Sequence, residues 1–415
     1  MDVVLRIVRR LSALRRLLVT VCGLVICLNL GFMSGASAHS AGNSPSSNYV
    51  STVKNVQPST KSFSIKTIEA GSRLELRWLS GPVLEVADYD GFPYLRVGPD
   101  GVDENQQSFA VYLNKDRRGS TSIPEGLKPE GPPQWKRVSA EPVARWHDHR
   151  VHWMGKVRPD NVVAQPDKRQ LVQNFTVEVK QRDQTHMVSG VLEWVPGPSP
   201  VPYLLIAVVL AGALGAIGVW AGFDDRRRRF ARMIAAVACI VLAAFDALHL
   251  AGIAFGTAGS TSDAIGRAVS LGFVSIVAWL LLVVGAILLL RNRVDAYYLV
   301  ILGAGLTAII GGFADVGVLS RSSTPFAFEL WLLRLSVAAT LGLGLGLVVA
   351  GVLLTSQRPS VTAKDAPSDL PPVDPATPDY SEPEIAIATS TSTNGERTGQ
   401  NNVCLGTFLE GRVVD

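Results

Sequence analysis

The sequence predicts a two-part fold: an all-β domain, read as an antiparallel Ig-like sandwich, followed by an all-α membrane domain of five transmembrane helices. Three observations predict it. Hydrophobic residues make up 47% and charged residues 18% of the 415-residue chain, with a positive mean hydropathy, which is a membrane-protein balance. Across residues 61–195, short runs alternate polar and apolar with a period of two, bounded by turn residues, as half-buried strands do. Beyond residue 200 lie five apolar segments, each near or above the ~20 residues that a helix needs to cross a bilayer.

Residues 1–38 read as an export signal. Arg6, Arg9, Arg10, Arg15 and Arg16 form a basic start, Leu17–Met33 an apolar stretch, and Ala36-Ser37-Ala38 a small-x-small cleavage site. An uncleaved anchor is the alternative. Residues 39–60 are small and polar, and read as a flexible leader. Strands are expected at 63–68, 73–78, 83–86, 94–97, 109–113, 175–179 and 188–194, with residues 119–142, rich in Pro, Gly and charge, forming a long loop. No cysteine falls between residues 39 and 200, which excludes a disulfide framework and thiolate ligands there.

Pro196-Gly197-Pro198-Ser199-Pro200 is a stiff linker (residues 196–200) into the membrane domain, residues 201–355. The spans are expected at Val201–Gly222, Met233–Phe255, Ala268–Leu290, Tyr297–Val316 and Phe326–Leu354. Arg226–Arg229 with Arg232, and Arg291 with Arg293, occupy the first and third connections. Positive charge stays cytoplasmic, so residues 39–200 are expected outside and the C-terminus inside. The tail, residues 356–415, holds nine acidic against four basic residues and no apolar periodicity, and reads as disordered. The chain's net charge of +4 is too small, and too concentrated beside the spans, to make nucleic acid a partner.

The candidate chemistry centres on Trp146-His147-Asp148-His149-Arg150-Val151-His152-Trp153-Met154, which holds three of the chain's six histidines. Imidazole and thioether without thiolate suit copper, so His147, His149, His152 and Met154 are candidate ligands, joined by His186 and Met187. In a strand, His147 and His149 share one face; in a helical turn, His149 and His152 become neighbours. The competing reading is a packed element anchored by Trp146 and Trp153, with Asp148 and Arg150 paired at the surface. Cleavage after Ala38 would make His39 the mature N-terminus, able to chelate copper with its α-amine; in this and in its sandwich architecture the chain resembles exported copper carriers of the CopC type. No nucleophile elbow, phosphate loop or HExxH motif is present, so no catalytic residue is assigned.

Within the spans, Asp246 and His249 share one helix face, while Asp315, Glu329 and Arg334 lie near the same membrane surface. These five could form one cluster, with Asp246 and Arg334 as an ion pair. Gly342, Gly344 and Gly346 suit close helix packing.

The strings Gly91-Phe92-Pro93-Tyr94-Leu95-Arg96-Val97-Gly98-Pro99-Asp100-Gly101-Val102 and Trp146–Met154 resemble those of a family of actinobacterial membrane proteins. The resemblance covers residues 1–355 and implies a signal peptide, an exported β-rich domain and several C-terminal spans, without an activity. The expected function is therefore an inner-membrane protein whose exported domain binds a metal, copper first, for trafficking or sensing, with copper-handling or assembly proteins of the envelope as partners. The alternatives are a metal-free envelope interaction protein and a small transporter using the intramembrane polar residues.

Overall fold

The computed structural model describes residues 46–293 and 295–356; the expected signal peptide, His39 and the tail lie outside these residues. The β domain spans residues 49–194 and comprises two antiparallel sheets. The larger has the order β1-β10-β9-β4-β5-β6-β7, formed by Tyr49–Gln57, Gln184–Trp194, Gln170–Gln181, Leu84–Ala87, Pro93–Gly98, Gly101–Asn105 and Trp135–Ser139. The smaller is β2-β3-β8, formed by Phe63–Ile68, Arg73–Trp78 and Val143–His147. One core joins both sheets: Leu74, Leu76 and Trp146 of the small sheet meet Val86, Leu95, Val177 and Val188 of the large one. The alternation read in the sequence is thus the inward-facing period of each strand.

Three expectations need correction in this domain. The polar segment 39–60 contains β1, because its backbone completes the edge beside β10, pairing Tyr49 with Trp194 and Gln57 with Met187. Residues 109–113 are not a strand; Ala110–Leu113 form a single helical turn, α1, whose start Ser108 secures by accepting from the Ala110 amide at 3.2 Å. The expected loop 119–142 contains the edge strand β7, too charged to show apolar alternation (Trp135-Lys136-Arg137-Val138-Ser139). A further short helix, α2, covers Asp160–Ala164.

Among the described residues five helical spans are long and apolar enough to cross a membrane, which makes the chain a multi-pass membrane protein. They are α3 (Val201–Trp220), α4 (Asp225–Thr257), α6 (Phe273–Leu290), a composite fourth span and α8 (Leu330–Ser356). The expected span 268–290 is divided at Gly272: residues before it belong to α5 (Thr261–Leu271), a separate helix that Ser260 caps by accepting from the Asp263 amide. The fourth span begins as α7 (Ala296–Thr307), loosens to a π-helix over Ala308–Phe313, and ends as a 3-10 turn at Val316–Ser320. Helix α8 packs between its neighbours as its glycines predict. A Cβ on Gly342 would lie 2.6 Å from the Ala207 carbonyl of α3, and one on Gly344 would lie 2.7 Å from Ala308 Cβ.

The β domain is fastened to one end of this bundle. Ser47 and Ser323 exchange backbone hydrogen bonds at 2.8 and 2.9 Å. Ser322, in the loop between the fourth span and α8, donates its amide to Asn48 Oδ1 at 3.0 Å and its hydroxyl to the Val195 carbonyl at 2.8 Å. Both chain ends of the β1–β10 pair are therefore tied to the same loop.

Candidate functional site

Strand β8 stops at His147, where the chain enters a tight turn. The Arg150 amide donates to Asp148 Oδ1 at 3.0 Å and the Val151 amide to the Asp148 carbonyl at 3.1 Å, an Asx-type turn that asparagine and aspartate favour. The turn breaks the strand period. His147 still points from the strand and donates Nδ1–H to the Ser72 carbonyl at 3.1 Å. His149 and His152 lie beyond the turn and approach edge-on, with ring centroids 5.6 Å apart. The helical-turn geometry, and not the strand geometry, describes these two residues.

Asp148 is the fixed point of the stretch. It is fully buried, and its carboxylate accepts from Trp146 Nε1 (3.0 Å), Arg150 Nε (2.8 Å) and Arg150 Nη2 (2.8 Å) besides the Arg150 amide. Burial alone would raise its pKa; the hydrogen bonds and charge of Arg150 outweigh that and hold it below the usual carboxylate range. The Arg150 guanidinium lies 4.8 Å over the Tyr89 ring, and its Nη1 donates to the Asp88 carbonyl. The Asp148–Arg150 pair expected at the surface is thus an internal brace that leaves the carboxylate no room for a metal.

The histidines differ in what remains to them. His147 is buried and held by Ser72; burial, reinforced by the charges of Arg73 and Arg117, pushes its pKa down to about 4. His149 stacks on Tyr89 at 6.0 Å, and its ring contacts the Asp116 carbonyl at 3.4 Å. His152 is only 3% exposed, and both of its ring nitrogens are buried. Burial first, then the charge of Arg117, lowers its pKa to about 4 against an opposing hydrogen bond with the Trp153 backbone, so the ring is neutral at physiological pH.

The remaining expected ligands are placed elsewhere. His186 donates Nδ1–H to the Pro58 carbonyl at 2.7 Å and meets Phe63 edge-on at 5.5 Å. Phe63 pairs with Trp78 at one end of β3, whereas His147 pairs with Arg73 at the other. Five residue steps of ~3.3 Å separate these ends by roughly 17 Å, which prevents a shared ion. Met187 faces outward beside His186 and is exposed, as is Met154. Among the described residues no three His, Cys, Asp or Glu side chains converge to hold a metal. Among the described residues the expected ligands do not all meet: His147 and His186 are held apart at the two ends of β3, whereas His149, His152 and Met154 stay on one loop.

What opens beside His152 is a cleft of about 590 Å³ lined by Arg117, Arg118, His152, Trp153, Met154 and Lys156. Its basic rim comes from the loop after α1. Asp116 turns its carboxylate back into that loop, accepting from the Arg118 amide at 2.7 Å and from Ser120 and Thr121. Burial is the largest single influence and opposes its ionisation, but these bonds together outweigh it and hold its pKa well below the usual range. Gly119 (φ +66°) closes the loop against His149, where an added Cβ would stand 2.7 Å from the imidazole. Arg117 keeps a buried Nε without a partner, and burial together with the like charge of Arg118 depresses its pKa. Sequence reasoning did not single out Ser72, Tyr89, Arg117 or Arg118. The Asp116-Arg117-Arg118-Gly119 turn was the available signal for the last two.

The intramembrane residues form a smaller cluster than expected. His249, on α4, joins Asp315 Oδ2 through Nε2 at 2.8 Å and lies 3.3 Å from Ser336 Oγ of α8 through Nδ1; that hydroxyl donates to the Leu333 carbonyl at 2.7 Å. Asp246 accepts from Trp279 Nε1 of α6 at 2.8 Å and lies against the π-helix at Gly311. Arg334 Nη2 donates to the Arg321 carbonyl at 2.7 Å, at the end of the 3-10 turn. Glu329 is exposed and stands apart. Searches against protein-family models, curated proteins and solved structures returned no match, so the functional reading rests on the chain's own residues.

Proposed function

We propose that this chain is a membrane-anchored recognition protein of the cell envelope, with the β domain exported, the C-terminus cytoplasmic, and the loop beyond His147 presented as a metal-free binding surface. The observation that carries it is the division of labour within residues 146–156. Asp148, Trp146 and Arg150 are spent on the internal brace and His147 on Ser72, while His152 lies buried beneath a cleft rimmed by three cations. Such a rim repels a metal cation and attracts an anion. The attachment of β1 and β10 to Ser322 and Ser323 supports a head of fixed orientation.

The copper reading retains His149, His152 and Met154 as its possible ligands and has the charge of Arg117 and Arg118 against it. Elemental analysis of the full chain, purified from copper-supplemented cells with its mature N-terminus intact and again after removal of that N-terminus, tests the choice. The recognition reading expects less than about one tenth of a copper per chain once the N-terminal His39 site is gone, since the described residues offer no closed site. Stoichiometric copper lost on changing His149 and His152 would establish the metal reading instead. Cysteine-labelling at Lys128→Cys from outside intact cells tests the sidedness.

A second reading is favoured by His249, which links Asp315 and Ser336 beside a π-helical segment: an intramembrane proton path serving transport. It expects proton flux in proteoliposomes that His249→Gln abolishes.

A further inference from the structure

The position of the basic cleft on the β domain indicates what would fill it. Trp153 stacks on Tyr49 at 6.4 Å, and Tyr49 meets Trp194 edge-on at 5.3 Å. Tyr49 and Trp194 are each one residue from a group bonded to Ser322, so this aromatic cluster stands at the end of the domain facing the helix bundle. Arg158 lies 5.1 Å over the Trp194 ring on the same side. Trp and Tyr interleaved with Arg and Lys at the foot of a spanning helix are the composition of a membrane–water interface, where aromatic rings sit at headgroup level and cations meet lipid phosphates.

The interior of the cleft matches one ligand chemistry. Arg117, Arg118 and Lys156 form no ion pair among the described residues, and Asp116, the nearest acid in sequence, is turned into its own loop. Arg117 holds a buried Nε–H without a partner, and the buried ring of His152 lines the floor of the cleft. A buried polar group without a partner is costly, and an ion or an ordered water is one way in which native structures satisfy it. Trp153 and the exposed Met154 give the other wall an apolar surface. Deepening the recognition reading, on which it rests, we infer that the cleft binds the phosphate of an anionic membrane lipid, with Arg117, Arg118 and Lys156 holding the headgroup and Trp153 and Met154 lying along the glycerol and upper acyl region.

The test uses the full chain reconstituted in nanodiscs of equal phosphatidylcholine and phosphatidylglycerol, in chelator, with retained lipid measured by native mass spectrometry. The expected result is one phosphatidylglycerol retained per chain, with no retained phosphatidylcholine. Arg117→Gln with Arg118→Gln should weaken retention by about tenfold or more, the loss typical of removing a charge-assisted hydrogen bond. Lys156→Gln, at an exposed position that leaves the fold intact, should weaken it severalfold. A parallel titration with inorganic phosphate should displace the lipid only weakly. Retention unchanged in both variants overturns the site, and displacement by inorganic phosphate as effective as by the lipid overturns the lipid as its source. Because chelator removes metals throughout, failure here is distinguishable from failure of the metal-free reading, which the copper measurement decides.

Discussion

Acidification should unfold the β domain through its buried histidines well before its carboxylates protonate. His147 and His152 are 6% and 3% exposed, and burial places both pKa values at about 4, against 6.5 for a free imidazole. A folded-state pKa that is depressed means the unfolded chain binds the proton more tightly. Each group's stabilising contribution is therefore complete above pH 6.5 and is lost progressively as the pH falls toward 4. Linkage gives roughly 2 kcal/mol lost per histidine between pH 7 and pH 5, and about 3–4 kcal/mol for the two together, allowing for their mutual repulsion. That is a large part of the stability of an ordinary domain. The assay is urea-dependent pulse proteolysis of the full chain in nanodiscs at pH 7, 6 and 5, scoring the cleavage of β-domain peptides. His147→Gln removes one titrating group and should reduce the pH dependence by about half, whatever it does to the stability at pH 7. A urea midpoint that stays constant or rises between pH 7 and pH 5 would refute the burial argument.

Other consequences follow from single contacts. Asp148→Asn leaves the Arg150 guanidinium buried without its counter-charge and should cost roughly 3–5 kcal/mol, seen as a lower melting temperature of the β domain. Gly342→Leu pushes a side chain into the Ala207 backbone and should disrupt the bundle, read as aggregation on size-exclusion chromatography in detergent, while Leu345→Ala, at an exposed position of the same helix, should not. Asn48→Ala with Ser322→Ala removes two of the fastenings between head and bundle. Electron–electron distance measurements from a label on the β5–β6 turn to one on α5 should then broaden from a single narrow distribution. Asp246→Leu strands the Trp279 indole N–H, and should lower the thermal stability of the helical bundle by about 1–3 kcal/mol.

Much of the fold was legible because it follows from periodicity. Strands β2 and β3 begin and end where the alternation of Phe63–Ile68 and Arg73–Trp78 does, since each has one face on the shared core. Edge strands β1 and β7 escaped because an edge with one solvated side needs no alternation; backbone pairing to β10 and β6 holds them. The spans were visible in hydropathy, but the π-helix was not. Its cause is tertiary, the accommodation of Asp246 and α8 by Gly311 and Gly312.

At the candidate site, the sequence showed which chemistry is present and hid its distribution. Three imidazoles within six residues suggest a common ion, yet Asp148 recruits Arg150 and Trp146 into a turn that sends His147 to Ser72 and His149 to Tyr89. The partners that decide these fates are far away in sequence, 60 to 75 residues for Tyr89 and Ser72, and carry no motif. Conversely, Arg117 and Arg118 acquire meaning only when the loop after α1 sets them beside His152.

On the proposed reading, residues 146–154 brace an anion-attracting recognition loop and do not form a copper centre. Electron paramagnetic resonance of the full chain with one equivalent of Cu(II), compared with the His149→Ala, His152→Ala double variant, tests it most directly. Superimposable spectra are expected, with any nitrogen-ligated signal arising elsewhere in the chain. A stoichiometric multi-nitrogen signal present in the unmodified chain and lost in the double variant would contradict it.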